Sequence, residues 1–214
     1  MLHFHIVTLF PDAIEAYLAA SILGRAREKK LIKVSYYDPK TFAVGKHRRV
    51  DQRPYGGGPG MILEPTAVLR AAEKALKGKR SVERLFFATD GKLFDEEWAK
   101  KLSKKKDILL ICGRYEGVDA RVQKILKAKK VSVGPYVLTG GELPAATLVD
   151  AIARFVPGTL GKAESLERSR VSSPEVYTRP EVLVWKKKKY RVPKVLLTGH
   201  HAKIDEWKKR ASGA

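Results

Sequence analysis

The chain has 214 residues, with 43 Lys and Arg against 23 Asp and Glu, for a formal charge of +20. That length suits one domain with a small appendage and buries a core without staples, and one cysteine, Cys112, excludes a disulfide framework or a cysteine-rich zinc module. No apolar run is long enough to span a bilayer and the Met1–His5 start lacks the character of a signal peptide, so the chain reads as cytoplasmic, with no membrane partner.

Short apolar runs alternate with amphipathic segments along the first three quarters of the chain. His3–Leu9 reads as a strand. Pro11-Asp12 opens a helix through Leu18, and Ser21 caps another through Lys29. Lys33–Tyr37 is a second strand, followed by a long loop over Asp38–Gly60. Pro65–Leu76 is a helix with proline in its first turn. Arg84–Thr89 is a strand, Asp95–Leu102 a helix, and Asp107–Cys112 a buried strand ending in a core cysteine. Val118–Leu126 is a helix, Lys130–Val133 a strand and Glu142–Phe155 a helix. This alternation implies an α/β domain over residues 1–160 built on a mainly parallel sheet. Residues 161–175 read as a linker rich in Ser, Gly and charge. The remainder, 176–214, offers one apolar stretch, Val192–Leu197, and one short helix, Lys203–Lys209.

The charge is uneven. Residues 168–214 hold 13 Lys and Arg against 4 Asp and Glu, including the run Lys186, Lys187, Lys188, Lys189. Such a surface suits a polyanion, above all a nucleic acid.

In open α/β sheets, ligands sit beyond the carboxyl ends of the strands. Three predicted strand ends carry glycine: Thr89-Asp90-Gly91, Gly113-Arg114-Tyr115-Glu116-Gly117, and Gly134 through Glu142. Glycine lets backbone approach a ligand closely; ordinary turn chemistry explains most isolated glycines, but three in one domain point to a site. None of these is a dinucleotide fingerprint or a Walker loop, since Gly45-Lys46 is followed by His47. The stretch Arg53-Pro54-Tyr55-Gly56-Gly57-Gly58-Pro59-Gly60-Met61 forms neither helix nor central strand. With Lys46, His47, Arg48 and Arg49 just before it, this stiff loop suits an unstacked base and its phosphates. His3 and His5 share one face of the first strand, but no carboxylate accompanies them. His200-His201 is likewise unaccompanied, so no metal site is expected.

Taken in order, Pro54–Met61, Cys112–Arg121, Tyr136–Ala145, Arg154-Phe155-Val156-Pro157-Gly158, Tyr177-Thr178-Arg179-Pro180 and Val192–His201 resemble the motifs of bacterial tRNA (guanine-N1)-methyltransferases. The resemblance runs from residue 1 to about 210. It implies a SPOUT-class α/β fold with a deep trefoil knot, which the ordinary rules of chain connectivity exclude, and a small, shortened helical C-terminal extension. It also implies a homodimer with active sites between subunits, S-adenosyl-L-methionine as methyl donor, Mg2+ dependence, and a tRNA anticodon stem-loop whose guanosine 3′ to the anticodon is methylated at N1. On that basis Phe87 and Thr89 of the first glycine-marked end line the cofactor pocket, as do Gly113, Tyr115, Glu116 and Gly117 of the second. Val133, Gly134, Pro135, Tyr136, Val137 and Leu138 complete it with Gly140, Gly141 and Pro144, and a bulky side chain at Gly141 should block it while the sheet stays folded. Arg53, Tyr55, Gly58 and Gly60 face the target base, while Lys186–Lys189 bind RNA phosphates.

Arg154 matches the arginine that stabilises charge on the guanine carbonyl oxygen. The family's Asp-Ser-Phe, which holds the general base, has no counterpart: no aspartate lies between Asp150 and Asp205. Ungapped alignment from Arg154 puts Ser169 there, and Glu167 is the nearest carboxylate and the candidate base. The usual Gly-Asp-Tyr is Gly134-Pro135-Tyr136 here. These departures set against the enzyme an alternative: a knotted RNA-binding protein that retains cofactor and methylates weakly or not at all.

Overall fold

The computed structural model describes residues 1–44, 48–160 and 175–211. Lys46, His47, Ser169 and Glu167 lie outside them. The chain divides into two units, Met1–Leu160 and Gly161–Ala214.

The first unit follows the alternation. β1 (Leu2–Val7), α1 (Asp12–Leu18), α2 (Ser21–Glu28) and β2 (Ile32–Tyr37) come first. α2 is not capped as expected: Ser21 is its first helical residue, and Ala20 before it makes no side-chain cap. The long loop holds a 3-10 turn at Pro39–Phe42 and the short β3 (Asp51–Gln52), antiparallel to β4 (Ile62–Leu63). α3 (Pro65–Leu76) starts where expected, because the Glu64 side chain accepts from the Thr66 and Ala67 backbone N–H groups at 2.8 and 2.6 Å. Its buried face is mostly alanine, which lets the helix sit close to the sheet.

β5 (Val82–Leu93) outruns its expected bounds. It pairs with β7 (Lys129–Ser132) through Phe87↔Val131, then resumes at Lys92↔Val131, so residues 88–91 form an excursion from the ladder. Glycine is required at Gly91, where a Cβ would lie 2.5 Å from the Val131 nitrogen. Between these strands come α4 (Glu96–Leu102), capped by Asp95, β6 (Asp107–Ile111), and α5 (Ala120–Leu126), capped by Asp119. α6 (Glu142–Ala153) closes the unit.

The sheet order is β2-β1-β6-β5-β7, and every pairing is parallel. Helices cover both faces, so all five residues of β6 are buried. Ile108 and Leu110 face the core against α1, α2, α4 and α6, while Leu109 and Ile111 face the core against α3 and α5. Burying each such side chain contributes about 1.5–3 kcal/mol. β6, β5 and β7 are neighbours, so the three glycine-marked ends lie side by side on one edge.

At the opposite edge the parallel register sets His3 against Asp107. The carboxylate missing from the local sequence is therefore present: His5 Nε2 lies 2.8 Å from Asp107 Oδ1. Burial, reinforced by His5 and Lys33, holds the His3 imidazole down at about 4, and burial likewise lowers His5.

The second unit adds an unforeseen hairpin, β8 (Val182–Trp185) with β9 (Lys188–Arg191). Its two-residue turn is Lys186-Lys187, both at positive φ, where Asn-Gly is the usual signal. α7 (Lys194–Leu197) and α8 (His201–Ala211) follow. Among the described residues no helix is long and apolar enough to cross a membrane.

Candidate active site

A cavity of about 390 Å³ opens beyond the carboxyl ends of β5, β6 and β7. That is within the size range of small-molecule sites. Phe87 and Thr89 line it, as do Gly113, Tyr115, Glu116 and Gly117, then Val133, Gly134, Tyr136, Val137 and Leu138, then Gly140, Gly141 and Pro144. Pro135 is exposed and not among its lining residues.

The loop after β6 turns tightly, with Gly117 N–H donating to the Arg114 carbonyl at 3.0 Å. Tyr115 and Gly117 both have positive φ, at 60° and 126°. The Tyr115 and Glu116 side chains are thereby left exposed at the cavity rim. After β7, the buried Ser132 hydroxyl donates to the Gly134 carbonyl at 3.0 Å, and the Tyr136 hydroxyl donates to the Val133 carbonyl at 3.1 Å. This folded turn leaves the Val137 and Leu138 side chains exposed.

Gly141 is held differently from the expectation. A Cβ there would lie 2.5 Å from Cys112 Cα and 2.9 Å from the Gly113 nitrogen. A bulky residue at Gly141 thus strikes the end of β6 itself and disturbs the fold, because α6 enters against that backbone. Gly113 is roomier: its nearest neighbour for a Cβ is Val118 Cγ2 at 3.4 Å.

Residues that sequence reasoning missed sit beneath the cavity. Glu142 is only 3% exposed. Its Oε1 accepts from the Thr8 hydroxyl at 2.7 Å and its Oε2 pairs with Arg114 Nε at 2.9 Å. The Arg114 guanidinium also stacks over the Phe10 ring, 4.5 Å from its centroid. This buried carboxylate and its partly exposed guanidinium partner join the ends of β1 and β6 to the start of α6. Its signal in sequence was weak, since Thr8 and Glu142 are 134 positions apart. Cys112 is packing, not a nucleophile: burial, helped by Glu142, pushes its thiol well above the ordinary range.

The glycine-proline loop reaches the cavity rim. Glu116 N–H donates to the Met61 carbonyl at 2.9 Å, and a Cβ on Gly60 would lie 2.6 Å from the Glu116 side chain. Tyr55 is fully exposed, and Gly58 has open space around it.

Arg154 lies elsewhere. It lines a separate groove between α1 and α6, with Tyr17, Leu143, Thr147 and Asp150. Ten residues of helix separate it from Pro144, about 15 Å of rise. Tyr17, whose hydroxyl donates to Asp150, and Leu143 are more than half exposed there.

Comparison with known proteins gives a consistent picture. The family model described as tRNA (Guanine-1)-methyltransferase TrmD matches residues 2–214. A tRNA (guanine-N(1)-)-methyltransferase of Clostridioides difficile is 38% identical, over 99% of this chain and 92% of the relative. Those of Dictyoglomus turgidum and Actinobacillus pleuropneumoniae are each 41% identical, over 98% and 95% of this chain and 84% and 83% of their own lengths.

Proposed function

This chain belongs to the TrmD family of tRNA (guanine-1)-methyltransferases, and from that premise we propose that it methylates the guanosine 3′ to a tRNA anticodon, with S-adenosyl-L-methionine as methyl donor. Methylation of tRNA guanosine at N1 is the reaction of the family and of this chain. The observation that carries the rest is the convergence of three glycine-bearing strand ends on one cavity, with the Gly60 loop against its rim.

The lining fits the cofactor. Backbone groups from Val133 to Leu138 would hold an adenine, Gly113 admits close approach, and the exposed Glu116 carboxylate would accept from polar groups of the donor. When bound, the cofactor supplies an already activated methyl group. The chain's own tasks are then to orient guanine, stabilise negative charge on its carbonyl oxygen, and remove the N1 proton. Arg154 takes the second task. Glu167 would take the third, its carboxylate accepting the proton that guanine N1 gives up. Calorimetry tests the pocket: Gly113→Leu is expected to weaken S-adenosyl-L-methionine binding at least tenfold without unfolding the chain. Wild-type affinity in that variant would remove the pocket from this reading.

Arg154 sits too far along α6 to serve the cavity of its own chain. This supports a homodimer in which Arg154 of one subunit faces the cavity of the other. The exposed apolar side chains of Tyr17 and Leu143 beside Arg154 support the same α1/α6 face as the contact. The trefoil knot of the SPOUT class belongs to the same reading, in a cytoplasmic enzyme. Among the described residues the group of three able to hold a metal is His3, His5 and Asp107. Its two imidazoles do not suit the hard Mg2+ ion, and no step is assigned to that cation.

The basic hairpin is the RNA surface of the second unit. Trp185 pairs across the ladder with Lys188, and Leu183 with Tyr190, so aromatic rings and a cation share one face. Trp185 and Tyr190 are 62% and 53% exposed. Such a face suits stacking on an unpaired base beside neutralised phosphates. Replacing Lys186–Lys189 with glutamine is expected to weaken tRNA binding and to flatten the log affinity against log salt line by about 0.7–0.9 for each phosphate no longer neutralised. Filter binding across a salt series reads the slope, and an unchanged slope would put the phosphate surface elsewhere.

A further inference from the structure

The amino-terminal edge of the sheet carries a cluster that the methyl-transfer reading leaves unused. β1 reads His-x-His, which puts both imidazoles on one face, and the parallel register sets His3 against Asp107 of β6. His5 Nε2 is 2.8 Å and His3 Nδ1 3.9 Å from the same oxygen, Asp107 Oδ1. The three donor atoms lie within 4.8 Å of one another. The two rings lie against each other with centroids 3.8 Å apart.

We propose that His3, His5 and Asp107 bind one divalent cation of the zinc class, about 20 Å from the cavity by the rise of β6. Two ligands on a tetrahedral zinc with bonds of about 2.0–2.1 Å stand about 3.3 Å apart. The His5–Asp107 separation has to open by about half an ångström and the His3–Asp107 separation to close by about the same. The ring nitrogens pointing away are already held: His3 Nε2 by the Ser35 hydroxyl at 2.8 Å, and His5 Nδ1 by the Tyr37 hydroxyl at 3.1 Å. Metal-bound imidazoles have outer partners of this kind, which set the ring orientation. The Tyr37 hydroxyl both donates and accepts, so the single proton of His5 moves to Nδ1 as Nε2 takes the metal. His3 and Asp107 side chains are 16% and 11% exposed, which gives water access to the open coordination position. Two nitrogens and one carboxylate select zinc, cobalt or nickel over magnesium or calcium. Lys33 and Lys79 act on this cluster from nearby and oppose a cation, which weakens the expected affinity.

The test uses the full chain, free of added tags, in equilibrium dialysis against Zn2+ and optical titration with Co2+. One equivalent of each is expected to bind, with visible bands of tetrahedral cobalt and no competition from excess Mg2+. His3→Gln changes the least buried histidine of the cluster and is expected to weaken binding at least tenfold with the fold intact by circular dichroism. Asp107→Asn is expected to abolish it, and His3→Gln decides the matter if that variant does not fold. The double variant His200→Ala, His201→Ala is expected to bind as wild type does. No retained zinc and no cobalt bands would overturn the proposal, as would wild-type binding in His3→Gln or loss of binding in the His200, His201 variant.

Discussion

Replacing Arg154 with alanine is expected to slow methyl transfer by about 10²–10³-fold, the usual cost of losing one donor aimed at a developing oxyanion. Removal of the N1 proton leaves negative charge spread toward the guanine carbonyl oxygen, and a guanidinium meets that charge with a fork of donors. Arg154 follows the last residue of α6, and its backbone N–H donates to the Asp150 carbonyl at 3.2 Å. Alanine keeps that backbone bond, so the helix end survives. Cofactor affinity is expected to remain that of wild type, because Arg154 is assigned to the guanine carbonyl oxygen and not to the cofactor-lining set. Arg154→Lys keeps the charge and loses the fork of donors, so it is expected to fall between the two. Single-turnover rates with saturating tRNA and cofactor read the effect. A wild-type rate in Arg154→Ala would remove this residue from the reaction. Mixing Arg154→Ala subunits with subunits disabled at Gly113 adds a sharper check: if sites are shared, mixed dimers recover one working site.

The second large effect concerns the proton. Glu167→Gln is expected to slow the chemical step by at least tenfold, against the full contribution of about 10²–10⁴-fold that a general base makes. No aspartate lies between Asp150 and Asp205, and a neutral hydroxyl such as that of Ser169 does not take up an extra proton near neutral pH unaided. Glutamate is one methylene longer than the aspartate of the family motif, which offsets part of its two-residue displacement. Glutamine keeps the size of the Glu167 side chain and removes its charge and its capacity as a base. Cofactor and tRNA binding are therefore expected to hold while single-turnover methylation falls. Equal rates in Glu167→Gln and wild type would remove Glu167 from the reaction.

The elements of the first unit were legible because their signals are local. β6 reads as a strand from an unbroken apolar run, and α3 starts at a proline, a residue favoured in the first turn. The glycine-marked ends were legible for the same reason, since each glycine lies beside the motif residues it serves. What escaped depended on distance or on atypical turn chemistry. Asp107 meets His3 and His5 only through the register of two strands about a hundred positions apart. The Thr8–Glu142–Arg114 network spans most of the domain. The β8–β9 hairpin was hidden because Lys186-Lys187 stands where Asn-Gly is usual and because β9 is itself highly charged. The distance of Arg154 from the cavity was invisible to a reading of motifs, which assigns residues to a site without assigning them to a subunit.

The measurement that tests the central claim most directly is transfer of labelled methyl from S-adenosyl-L-methionine to unmodified tRNA, followed by nucleoside analysis and mapping of the labelled position. The expected result is 1-methylguanosine as the labelled nucleoside, at the guanosine 3′ to the anticodon. Label at another nucleoside or position would contradict that assignment, and no label at all, with tRNA and cofactor both bound, would leave an RNA-binding protein in place of the enzyme.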